Sequence, residues 1–68
     1  MYEKNILSKV LYENNITYKE LSRRSGISAS TLNYIANFIT DPRQSTMIAI
    51  ARALNMEVVE IFNLEWRD

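Results

Sequence analysis

The chain contains one glycine, Gly26, in the middle of "TYKELSRRSGISASTLNYI", between two short segments that each read as a helix. A residue without a β-carbon enters the left-handed conformation at little cost, so glycine placed there closes one helix and lets the chain turn into the next. Thr17, with Glu20 three residues later, has the form of a capping box that starts a helix at Tyr18, and Ser28 is the N-cap of the helix after the turn. Ser22 is small where the two helices must cross, and Leu21, Ile27, Leu32 and Ile35 are the apolar anchors around the corner. Two short helices with glycine in the turn between them form a helix-turn-helix unit, here about residues 17–37.

The remaining sequence has the same periodicity. Ile6, Leu7, Val10 and Leu11 recur at helical spacing, which predicts a first helix from about Lys4 to Asn14, stopped by Asn14-Asn15. A fourth helix starts either at Asp41-Pro42 or at Ser45, and Met47, Ile48, Ile50, Ala51 and Leu54 form its buried stripe. A fifth, about Glu57 to Asn63, presents Val58, Ile61 and Phe62, so helices four and five occupy about residues 43–63. No stretch alternates as a strand does. The expected fold class is all-α, five helices in a single domain over residues 1–68.

Composition narrows function by exclusion. There is no cysteine and no histidine, which removes disulfides, the usual zinc sites and His-dependent nucleophilic catalysis. One glycine cannot make a phosphate-cradling loop. Glu13, Glu57 and Glu60 lack convergent partners, so no catalytic residue, metal or cofactor is expected. No apolar run approaches a membrane span and the N-terminus lacks a signal-peptide layout, which reads as a soluble, cytoplasmic protein. Eight basic and eight acidic residues cancel, a balance that argues mildly against nucleic acid. The charges are uneven, however: Lys19, Arg23, Arg24 and Arg43 outnumber Glu20 and Asp41 in the middle, and acids prevail after Gln44.

Taken together, "ITYKELSRRSGISASTLNYI", the "DP" of the next loop and "MIAIARALNMEVVEIF" resemble the Cro/C1-type (XRE) helix-turn-helix regulators over residues 4 to about 63. The resemblance implies a lambda-repressor-like DNA-binding fold. Members often carry an arginine late in helix one and a glutamate late in helix three that pair inside the fold. The matching positions here are Leu11 and Ala36. Exchanging both partners of a buried pair for apolar residues strands no charge. Phe38 stands where members often have glycine, so the loop after helix three is expected to turn differently.

The second helix of such a unit lies in the major groove with its N-terminal part toward base edges. With Leu32, Ile35 and Ala36 inward, the resemblance makes Ser30, Asn33 and Tyr34 the base-reading candidates, with Ala29 placed for a thymine methyl. Asn33 has the amide that pairs with adenine. This face has no acid, and also no Arg or Lys, so guanine readout from it is not expected. Phosphate contacts fall to Thr17, Tyr18 and Lys19, to Ser28 and Thr31, and to Asn37 and Arg43. Arg23 and Arg24 are further cations, though two charges near a helix C-terminus also suit the helix dipole.

Such domains usually bind as twofold dimers. Ile61, Phe62, Leu64 and Trp66 supply a possible seam, and folding of Phe62 and Trp66 back over the core is the alternative. The expected partners are therefore double-stranded DNA and a second copy, with no small-molecule effector and no membrane. The leading function is a transcriptional regulator, in the manner of a repressor on a palindromic operator. The competing reading is a protein-interaction module of the same fold, such as an antitoxin or accessory protein.

Overall fold

Isolated helices shorter than about 12 residues are marginal in water, so a chain built from such pieces must stabilise them on a common core. The computed structural model describes residues 5–62. It places helices at α1 (Leu7–Glu13), α2 (Tyr18–Ser25), α3 (Ala29–Ala36), α4 (Gln44–Ala53) and α5 (Val58–Ile61). Leu7, Leu11, Leu21, Leu32, Ile35, Ile50, Ile61 and Phe62 converge in one buried cluster. Helix α2 packs on both α3 and α4, and α5 packs on α4. Leu21 is the one residue of α2 that is buried outright; truncating an anchor of this kind to alanine typically costs about 2–5 kcal/mol. Leu11 and Ala36 are both buried in the cluster, so neither of these positions sets a charge inside the fold.

Four helices close through a residue with positive φ. The end of α1 has the Ile16 N–H on the Leu11 carbonyl (2.9 Å) and the Asn15 N–H on that of Tyr12 (3.2 Å), with Asn15 at φ 55°. The end of α4 repeats this, with Met56 on Ala51 (2.9 Å), Asn55 on Arg52 (3.1 Å) and Asn55 at φ 58°. Gly26 closes α2 at φ 81°, its N–H on the Ser22 carbonyl at 2.8 Å. These are the paired and single hydrogen-bond patterns by which left-handed residues satisfy the last carbonyls of a helix.

The end of α3 is the surprise. Ile39 donates to Tyr34 (2.8 Å) and Phe38 to Ile35 (3.1 Å), and Phe38 itself has φ 63°. The loop was expected to turn differently for want of glycine. Instead it makes the same closure with an aromatic residue, held there by the two hydrogen bonds. Asparagine tolerates this region, whereas a bulky side chain is an outlier in it, at a cost of about 1–2 kcal/mol.

Other expectations also need correction. Helix α1 starts at Leu7, after Asn5 and Ile6 pair with the C-terminal end of α5 through an antiparallel Asn5–Phe62 bridge and an Ile6 N–H to Ile61 carbonyl bond of 2.9 Å. Helix α4 starts at Gln44 with Arg43 as a cap that makes no side-chain bond, so neither Asp41-Pro42 nor Ser45 opens it. Ile48 faces outward, although Ile50 and Ala51 are buried as the stripe requires. Ile61 and Phe62, expected at a dimer seam, are 2% and 0% exposed within this one chain. They belong to the core cluster, so they have no surface to offer a partner. Leu64 and Trp66 lie outside the described residues.

No atom approaches within 4 Å of a β-carbon built on Gly26, so the demand for glycine there is torsional, not steric. Gly26→Ala should therefore lower the unfolding free energy by about 1 kcal/mol, and Phe38→Gly should raise it by a similar amount. Urea midpoints measure both; a lower midpoint for Phe38→Gly would show that the ring's contacts outweigh the backbone strain.

Candidate nucleic-acid interface

The two central helices begin on hydroxyl caps. Thr17 Oγ1 accepts the Glu20 N–H at 3.0 Å and Ser28 Oγ accepts the Thr31 N–H at 3.1 Å. Each cap takes one of the four N–H groups that a helix leaves unpaired at its start. The N–H groups of Tyr18 and Lys19 remain at the open end of α2. Lys19 is exposed, while Tyr18 is half-buried and packs its ring against the core.

Helix α3 divides cleanly. Leu32, Ile35 and Ala36 are buried, whereas Ser30, Thr31, Asn33 and Tyr34 are exposed and Ala29 is intermediate. Tyr34 is half exposed at 50%. Asn37, past the end of the helix, turns its side-chain amide back onto the Asn33 carbonyl (2.8 Å) and more loosely onto Asn33 Oδ1 (3.3 Å). Ser28 Oγ also donates to Thr31 Oγ1 at 2.8 Å, tying those two hydroxyls together. Thr31 and Arg43 come to one cleft between α3 and the loop into α4, which Thr40, Asp41 and Thr46 also line. Asp41 therefore lines the same cleft as the cation expected to meet phosphate.

A helix closed by a left-handed residue, a three-residue turn (26–28), and a second capped helix with a polar outer ridge make up the helix-turn-helix arrangement. A helix-turn-helix family model (HTH_3) matches residues 7–61, most of the chain. The chain belongs to the Cro/C1-type helix-turn-helix family. That family is one of DNA-binding regulators, not enzymes. No curated protein matches the chain. Among the described residues no helix is long and apolar enough to cross a membrane.

Two features that bear on the site escaped the sequence reading. The first is Glu20. Its backbone joins the Thr17 cap, but its carboxylate does not complete the capping box; it bonds Arg24 Nε at 2.9 Å and the Arg23 guanidinium. The signal was present, since acids pair with arginines three and four residues on along a helix. The hydrogen bond from Arg24, followed by that from Arg23, holds the Glu20 carboxyl below the usual carboxylate range. A lowered folded-state pKa stabilises the fold above the ordinary carboxylate pKa, and that contribution disappears as pH falls through the lowered value. Arg23 and Arg24 are therefore partly neutralised in place.

The second is Asn5, whose only sequence signal was an amide just ahead of an apolar run. It is buried, with its Nδ2 donating to the Ile35 carbonyl of α3 at 3.1 Å and its Oδ1 accepting the Leu7 N–H at 3.0 Å. Asn5 thus fixes the C-terminal end of α3 against the start of α1. Asn5→Ala leaves buried polar groups without this partner and should cost about 1–3 kcal/mol in chemical denaturation. Asn5→Asp keeps the acceptor for Leu7 but sets a carboxylate against the Ile35 carbonyl, so it should be no milder at neutral pH; a neutral result for both would remove Asn5 from this role.

Proposed function

We propose that the chain is a sequence-specific transcriptional regulator that inserts α3 into the major groove and acts as a repressor by occupying a palindromic operator as a homodimer. Ser30, Asn33 and Tyr34 are the proposed base readers, with Ala29 against a thymine methyl. Thr17, Lys19, Ser28, Thr31 and Arg43 are proposed to meet phosphates, and the Tyr18 contribution is its backbone N–H. Asn37 is proposed to reach phosphate only by releasing Asn33. The observation that carries the reading is the outward ridge of α3, polar and without an acid, on a helix whose inner side is locked into the core. For the dimer, Leu64 and Trp66 remain the proposed seam, and Val59 is a further apolar residue exposed on α5.

One observation favours a second reading, a protein-interaction module with weak DNA binding. The chain is neutral overall, and two of its central cations are engaged by Glu20. Salt separates the two readings, because a dimer making about 6–10 phosphate contacts loses several decades of affinity between 50 and 200 mM.

Selection of bound sites from random duplexes tests the proposal directly. A palindromic consensus is expected, and Asn33→Ala with Tyr34→Ala should weaken binding to it by about tenfold or more while leaving the unfolding midpoint nearly unchanged. Recovery of no consensus, together with salt-insensitive binding, would favour the interaction module. Glu20→Gln releases Arg23 and Arg24, and should steepen the log–log salt dependence by about 1–2 per protomer; an unchanged slope would place both arginines away from phosphate.

A further inference from the structure

Among the described residues, every side-chain hydrogen bond but one joins groups four positions apart or fewer. The exception runs from Asn5 Nδ2 to the Ile35 carbonyl, 30 positions away, at 3.1 Å. Asn5 is also the one polar residue buried among them, 8% exposed. Its own placement is set from two further sides. The side-chain Oδ1 accepts the Leu7 N–H at 3.0 Å, and the backbone pairs with Phe62 while Ile6 donates to the Ile61 carbonyl at 2.9 Å. The two ends of the described chain thus meet at a point from which a single directed bond reaches the last turn of α3. Apolar burial is non-directional, whereas a hydrogen-bonded amide is satisfied in only a narrow range of distances and angles.

The Ile35 carbonyl has another partner, since it also accepts the Phe38 N–H at 3.1 Å. The Asn5 bond is therefore not needed to satisfy that oxygen; what it adds is a second fixed point for α3. The helix has α2 as its main helical neighbour, its N-terminal end is set by the turn from Gly26 to Ser28, and residues 37–41 beyond it are exposed. Asn33 and Tyr34 immediately precede the residue that Asn5 holds. A roll of about 10° about the helix axis carries side-chain atoms by about 1 Å, beyond the ~0.5 Å within which a preorganised site must be held. We infer that Asn5 is a positioning residue for base reading, which touches no DNA itself and, through the Ile35 carbonyl, sets the roll of α3 that aims Asn33 and Tyr34. This rests on the groove-binding function proposed above.

The test measures two affinities on each sample of the full chain, for the duplex recovered by selection and for a random duplex at the same salt. Their ratio does not depend on the fraction of chain that is folded, because unfolded chain lowers both alike. Non-specific affinity comes from phosphate contacts and is insensitive to how the bases are addressed. Asn5→Ala should lose about tenfold in affinity for the selected duplex, the order of one good base contact, and stay within about twofold of wild type on the random one. Asn5→Ser has a hydroxyl that still accepts the Leu7 N–H but is too short for Ile35. It should show the same loss of ratio, and it is the variant to read if Asn5→Ala does not fold. Val10→Ala truncates a buried side chain of α1 outside this bond, so it should lower the unfolding midpoint and leave the ratio unchanged. A wild-type ratio in the Asn5 variants overturns the inference and leaves the function standing. An equal fall in Val10→Ala also overturns it, since any loss of core stability would then suffice. Wild type that prefers no selected duplex overturns the proposed function, and this inference with it.

Discussion

The architecture depends on reversing a short chain between helices of 4 to 10 residues while leaving no buried carbonyl unpaired. A helix ends with four carbonyls lacking intrahelical partners, and a left-handed residue satisfies some of them while turning the chain. Asn15, Gly26, Phe38 and Asn55 each do this. Without the turn at Gly26, α3 would continue the direction of α2, and Leu32 and Ile35 could not enter the core that also holds Leu21. The outward position of Asn33 and Tyr34 follows from that insertion, because residues about half a turn from the anchors on so short a helix have nowhere else to face. Asn5 then fixes the far end of α3.

Features with a local cause could be read from the sequence. Thr17 and Ser28 cap helices through hydroxyls three residues from the N–H groups they accept, and Gly26 has one obvious conformational use. The inward set of α3 follows from spacing alone. What escaped reading was non-local or lacked a side-chain signature. Arg43 caps α4 without a side-chain bond, so nothing in the sequence marks that boundary. Apolarity at Ile61 and Phe62 announced burial, but not that their backbone pairs with the opposite end of the chain at Asn5 and Ile6. Phe38 was misread because its conformation is imposed by two backbone hydrogen bonds rather than preferred by its side chain. The candidate site was legible as a face; the pairing of Glu20 with two arginines, which sets its charge, was legible only as spacing.

That pairing bears on how such a surface discriminates. Non-specific affinity for duplex DNA comes almost entirely from phosphate neutralisation, whereas base contacts add affinity only at the right site. A neutral chain that engages Arg23 and Arg24 with its own Glu20 lowers the first term. It leaves the second, made on the proposed ridge by uncharged groups, nearly independent of salt. Since a genome presents roughly 10⁶–10⁹ competing sites, the ratio of the two terms decides occupancy more than absolute affinity does. Weak general attraction is thus compatible with selective binding provided that a second protomer doubles the base contacts. Charge balance therefore bears on how strongly the chain is drawn to any duplex, and leaves selectivity in the proposed function to the neutral groups of the ridge.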